Sequence, residues 1–144
     1  MSAIQTETTA IEQTRATMTG YLDALFGGDR YGDYLAPDAT FTMMETGEVT
    51  RGRDAIVGLL DYFHEQAFAA TPELTTLVVG EERAMIEAVF IGTHAGEFAG
   101  IAPTGRAVRL PYTVAYDLDG DAGAITAVRV YLSLDALVRQ IRGA

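Results

Sequence analysis

The chain has 144 residues, no cysteine and a net charge of −10, and all ten of its Lys/Arg positions are arginine. That length supports one domain with a core needing neither disulfide nor metal, and the missing cysteine excludes thiolate catalysis and cysteine-ligated zinc and fits a reducing cytoplasm. Acidity of this degree, with no basic stripe, argues against a nucleic-acid partner, and no apolar run approaches the ~20 residues that span a membrane.

Residues up to about Thr9 have neither a basic start nor an apolar stretch, and read as a frayed terminus rather than a signal peptide. Ile11, Met18, Leu22, Leu25 and Phe26 then recur at helical spacing with Tyr21 beside them, until Gly27-Gly28 stops the pattern. Residues 29–36 suit a short second helix ended by Pro37, and 39–45 a strand that Thr46-Gly47-Glu48 turns back through Val49 and Thr50. A third helix is expected over 53–68, with Asp54 at its positive end and Ile56, Leu59, Leu60, Phe63 and Ala67 as its apolar stripe; Thr71-Pro72 breaks it. Strands follow over 74–79, from Arg83 to Ile91, over 107–118 and over 124–134, and a last helix covers 135–142.

Helices first and then long strands argue an α+β fold with a curved antiparallel sheet and helices packed on one face. Without repeat or linker, residues 1–144 read as a single domain. Strand parity adds a message, because side chains alternate across a sheet. Val108, Leu110, Tyr112, Val114 and Tyr116 share one face with Val128, Val130 and Leu132; Arg109, Thr113, Arg129 and Tyr131 share the other.

Between two of these strands lies His94-Ala95-Gly96-Glu97-Phe98-Ala99-Gly100-Ile101-Ala102-Pro103-Thr104-Gly105-Arg106. Taken alone, its glycines and Pro103 mark a long hairpin connection. The order His-x-Gly-x-Phe-x-Gly-Ile-x-Pro-Thr-Gly-Arg resembles the signature of the SnoaL-like polyketide cyclase family, within the cone-shaped α+β superfamily named after nuclear transport factor 2. The resemblance implies a cavity between the concave sheet face and the helices, with the even positions facing it. It implies a mixed outer face of the kind that commonly forms a homodimer in the superfamily. Aligned on Pro-Thr-Gly-Arg, it also puts the family's acid/base aspartate at Val114, and valine moves no proton.

Candidate working residues follow. His94 sits where strand meets loop and can exchange a proton near neutrality, the alternative being a histidine that hydrogen-bonds the bulge beside it. His64, four residues after Leu60, borders the third helix's apolar stripe and is either a cavity residue or a partly buried structural one. Glu87 and Glu45 lie inside apolar strands; turned inward, a carboxylate there would act as acid or base, and turned outward it is a surface charge. Tyr21, Phe63, Phe90, Tyr112, Val114, Tyr116 and Val130 are the expected ligand-binding wall, suited to a flat, apolar, oxygen-bearing small molecule.

Sharper motifs fail. Asp117, Asp119 and Asp121 open like a calcium loop, but Ala122 stands where glycine is required and Val128 where glutamate is. His64-Glu65 lacks the second histidine of a zinc protease, since Phe68 occupies that place. No metal or cofactor is therefore expected. The resemblance implies a cofactor-free acid/base reaction on a polyketide-like molecule: ring closure, isomerisation or dehydration. A non-catalytic binding or assembly protein on the same fold is the competing reading. Epoxide hydrolysis is third, for it wants an Asp–Arg–Asp arrangement around a water.

Overall fold

The first helix, α1 (Ala3–Gly27), buries Met18, Tyr21 and Leu22. It is drawn in a computed structural model that describes residues 3–143, with side chains from Thr9 onward. The backbone before Thr9 is helical back to Ala3 rather than frayed, since each residue added to an existing helix gains a hydrogen bond; Met1 and Ser2 lie outside the described residues. The helix ends in a Schellman arrangement. Asp29 N–H donates to the Ala24 carbonyl (2.8 Å) and Gly28 N–H to that of Leu25 (3.4 Å), with Gly28 at φ 75°.

Where a helix over 29–36 was expected there is one 3₁₀ turn, Tyr31–Tyr34, and β1 (Leu35–Met43) has already begun before Pro37. Pro37 ends nothing. It falls in the register shift between Leu35 and Thr40, where the ladder is interrupted and a missing N–H leaves no bond unmade. A hairpin leads through β2 (Glu48–Arg51) to α2 (Arg53–Asp61), anchored by Arg53, whose guanidinium donates twice to the Leu35 carbonyl (2.8 and 2.9 Å).

The helix expected to reach residue 68 stops short. After Asp61 the chain makes a single π-helical turn, Tyr62–Gln66, closed by Ala67 N–H on the Tyr62 carbonyl (2.7 Å). Phe68 then belongs to a short strand, β3 (Phe68–Ala70), drawn into pairing with His94, Thr93 and Gly92. Only glycine fits at position 92, where a β-carbon would come within 2.7 Å of the Ala69 carbonyl oxygen.

The remaining strands are β4 (Glu73–Gly80), β5 (Arg83–His94), β6 (Ala107–Asp119) and β7 (Ala124–Tyr131). They form one curled sheet in the order β2-β1-β7-β6-β5-β3, with β4 also on β5. All pairings are antiparallel except β1–β7, which is parallel and makes the sheet mixed. No hairpin joins β1 to β7, so no tight turn dictates their direction. The alternation read from sequence holds in β5 and β6: Ile86, Phe90, Leu110, Val114 and Tyr116 are buried, while Met85, Glu87 and Arg109 are exposed.

The last helix, α3 (Leu134–Arg142), is capped twice at its positive end. Ser133 Oγ accepts Ala136 N–H (3.1 Å), and the Glu45 carboxylate accepts Leu134 N–H. Gln140 of α3 bonds both the N–H (2.8 Å) and the carbonyl (2.9 Å) of Arg109, covering the part of β6 that runs beyond β7. No described helix is long and apolar enough to cross a membrane.

Candidate active site

Between the concave sheet face, α1 and α2 is an apolar cavity of about 60 Å³. The sheet contributes Ile86, Phe90, Tyr112, Val114, Tyr116 and Val130, α1 contributes Tyr21 and Leu25, and α2 with its π turn contributes Leu60, Phe63 and His64. Apart from three tyrosines, His64 is the only ionisable residue in the lining among the described residues.

Its position follows from the π turn, since an inserted i→i+5 step re-aims the side chains that follow a regular helix. His64 Nδ1 lies 2.8 Å from the Leu60 carbonyl, which can only accept, so Nδ1 carries the hydrogen and Nε2 is left with a free lone pair. The ring rests against Phe90, centroids 5.8 Å apart. Desolvation holds its pKa below 6.5, against smaller opposing effects of the Leu60 bond and of Asp61 and Glu65. Burial thus favours the neutral imidazole.

The π turn is held by the Gly/Pro-rich segment after β5. Ala95 N–H (2.9 Å) and Gly96 N–H (3.0 Å) both donate to the Ala67 carbonyl, and Tyr62 Oη donates to the Glu97 carbonyl. A β-carbon at Gly96 would overlap the Gln66 carbonyl oxygen, so glycine there lets the two segments touch.

His94 ends up elsewhere. It is fully buried but does not line the cavity; its ring lies against Phe68 (5.6 Å), which lies in turn against Phe90 (5.3 Å). Nδ1 accepts Thr104 N–H (3.1 Å) and is 3.0 Å from Thr104 Oγ1, so the hydrogen sits on Nε2, which has no partner among the described residues. His94 thus ties strand β5 to Thr104 at the far end of the loop, not to the bulge beside it. Glu87 is also corrected: it points out from the convex face opposite Thr113 and Thr76, because the period of two puts it opposite Ile86 and Ala88. Glu45 serves α3 as described. On the same outer face, Arg129 grips Asp117 with two hydrogen bonds (2.9 and 3.1 Å), which draw the Asp117 carboxyl below its ordinary pKa.

Tyr21, Phe63, Phe90, Tyr112, Val114, Tyr116 and Val130 all lie in the cavity wall, and His64 joins them. The sequence reading passed over Phe41 and Met43 of β1, which also line it; the alternation Ala39, Phe41, Met43 was the available signal. Outside, Leu25 and His64 also border a polar cleft of about 650 Å³ beside the 3₁₀ turn, so these two residues form the wall between cavity and cleft.

Residues 16–141 match the family model of SnoaL-like polyketide cyclases. Similar solved structures include a candidate SnoaL-like polyketide cyclase from Jannaschia sp. CCS1, with TM-score 0.80 and 19% identity over 100% of this chain and 97% of that one. A candidate polyketide cyclase from Xanthomonas campestris pv. campestris has TM-score 0.76 and 22% identity over 92% of this chain and 98% of that one. A protein of ketosteroid isomerase-like fold from Catenulispora acidiphila DSM 44928, crystallised with trimethylamine, has TM-score 0.71 and 21% identity over 88% and 92%. At these identities the likeness is one of fold. No curated protein matches the sequence.

Proposed function

By its match over residues 16–141 the chain belongs to the SnoaL-like polyketide cyclase family, and on that premise we propose that it is a cofactor-free acid/base cyclase or isomerase acting on an apolar, polyketide-like carbonyl compound. His64 takes the base's role that the family gives to an aspartate. One observation carries this reading: among the described residues, the sole ionisable group in the lining besides the tyrosines is an imidazole whose tautomer leaves Nε2 free to accept a proton.

The chemistry balances without a cofactor. Nε2 removes a proton from a carbon next to a carbonyl, and the electron pair moves to the carbonyl oxygen as an enolate. For ring closure the enolate carbon attacks a second carbonyl of the same molecule, and the imidazolium returns its proton to the alkoxide. For isomerisation the proton returns to another carbon. A dry, shaped cavity raises the effective concentration of the two reacting ends.

An apolar cavity of ~150 Å³ admits a benzene-sized molecule. The present 60 Å³ is smaller, so binding a polyketide-sized ligand requires side chains to move, and Leu25 and His64 at the cleft wall are the natural gate. Val114 at the family's aspartate position favours the competing reading, a binding protein without chemistry. The third reading, epoxide hydrolysis, lacks its parts, since neither aspartate nor arginine lines the cavity among the described residues.

The test is exchange of carbonyl-adjacent protons into D₂O, followed by NMR on a panel of small keto esters. Wild type should exceed the buffer rate, and His64→Ala should remove roughly 10²–10⁴-fold of that excess. Undiminished exchange in the variant would sink the role of His64; none in wild type would favour the binding protein. The reading includes a homodimer through the outer sheet face, supported by exposed Val78, Met85 and Tyr131. Light scattering should give twice the chain mass for wild type, and the single mass for Val78→Glu/Met85→Glu.

A further inference from the structure

The charges near His64 lie on the cleft side of its wall. Asp29, Asp33, Asp54, Asp61 and Glu65 line that cleft, together with Arg30 and Arg53. Arg30 reaches Asp33 (3.5 Å), and the Arg53 guanidinium is held by the Leu35 carbonyl. From the cavity side the titratable neighbours are Tyr21, Tyr112 and Tyr116, whose pKa burial raises, so they carry no charge. The groups that draw a proton toward the imidazole are therefore Asp61 and Glu65, on its own segment. Glu65 is exposed and Asp61 half-buried.

Asp61 is held by a residue from another element. Its carboxylate accepts the hydroxyl of Tyr31 at 2.6 Å, from the 3₁₀ turn. The same hydroxyl lies 3.1 Å from the Val57 carbonyl; its single hydrogen goes to the closer, charged acceptor. Tyr31 is 6% exposed and packs edge-on against Tyr21 (6.2 Å). Gly32 lets the turn lie this close to α2, since a β-carbon there would come within 2.9 Å of Val57 Cγ2. The phenol also stays protonated, because burial and then the Asp61 bond push its pKa up.

The bond bears on the imidazole through the choice of partner for Nδ1. That nitrogen donates to the Leu60 carbonyl, a neutral acceptor. A carboxylate in its place would raise the ring's affinity for a proton and keep Nε2 occupied to higher pH. Asp61, three residues before His64, is the half-buried carboxylate next to the ring, and the Tyr31 hydrogen bond fixes it on the 3₁₀ turn instead.

We propose that Tyr31 is a positioning residue: it holds the Asp61 carboxylate away from His64, so that Nδ1 stays on the Leu60 carbonyl and Nε2 stays open to the cavity. This deepens the acid/base reading and rests on it, because an unprotonated Nε2 matters only if His64 is the base. Phenylalanine would fill the same space as Tyr31 and leave Asp61 free.

The experiment is an NMR titration of the imidazoles, with His64 distinguished from His94 by its loss in His64→Gln. Tyr31→Phe should raise the His64 midpoint by ~0.5 pH unit or more, and Asp61→Asn should lower it. In the Asp61→Asn background, Tyr31→Phe should move nothing. The acidic inflection of proton exchange into D₂O should rise with the midpoint in Tyr31→Phe. A midpoint unmoved by Tyr31→Phe, or moved equally in the Asp61→Asn background, overturns the role of Tyr31. Asp61→Asn keeps an acceptor for the hydroxyl, so it tests the charge by itself, and an unchanged midpoint there overturns the proposal too. Midpoints that move as expected while wild type exchanges no protons overturn His64 as the base, and the positioning role with it. The two failures thus give different results.

Discussion

Gly96 touches the Gln66 carbonyl so closely that no β-carbon fits between them. The contact joins the segment after β5 to the π turn that carries His64, and it explains what the motif does in this chain. Its residues hold in place the turn on which His64 sits. Gly96→Ala should push the π turn outward, costing about 1–3 kcal/mol of stability. Proton exchange per folded molecule should fall as well, because His64 is displaced. Thermal melts and the D₂O assay read both, and full retention of activity would separate the loop from the site.

His94 is expected to behave as a fastener. His94→Ala removes a fully buried ring and the acceptor of Thr104 N–H. The expected loss is about 2–4 kcal/mol of stability, with exchange activity kept by the molecules that still fold. Chemical denaturation alongside the exchange assay checks it. Abolished activity with an unchanged midpoint would return His94 to the chemistry.

A base at His64 gives a rate that rises with pH and levels off once the imidazole is neutral. Desolvation holds its pKa below 6.5, so kcat/KM should have its acidic inflection below pH 6.5 and be flat at neutrality. The same shift affects folding. The unfolded chain takes a proton near pH 6.5 and the folded chain resists it, so His64 contributes stability above that pH, lost as pH falls toward the folded value. An inflection above 6.5 would contradict both.

Asp117 has the same sign in a lower window. Its carboxyl is depressed below 3.8 chiefly by the hydrogen bonds from Arg129. The pair's contribution is complete above that value and disappears as pH falls through the folded pKa. Both side chains are partly exposed, so Asp117→Asn should cost no more than about 1 kcal/mol at pH 7, and the difference from wild type should vanish in strong acid. Denaturation midpoints at pH 7 and pH 2.5 test it.

The cone and the inward face of β5, β6 and the second half of β7 were legible in the sequence, because period-two alternation holds there. It breaks where the β6–β7 register shifts after Asp117, and Ile125 is buried out of step with Val128 and Val130. Roles were less so. Where His64 points depends on the π turn at Tyr62–Gln66, and a π step leaves no composition signal distinct from a helix. Glu87 was decidable by parity with Ile86. The strand through Pro37 was not, since proline normally ends a pairing, and here the interruption it needs comes from a distant partner, β7.

That same β1–β7 pairing has a consequence for synthesis on the ribosome. Phe41 aligns with Val128, so the first strand made waits for the last. Until β7 has emerged, the β1–β2 hairpin presents an unpaired strand edge, and Phe41 and Met43 have no wall to pack against. Closing so long a loop is slow relative to forming hairpins, and the nascent chain is most exposed to aggregation in that interval. A premature stop before Ala124 would leave it there permanently.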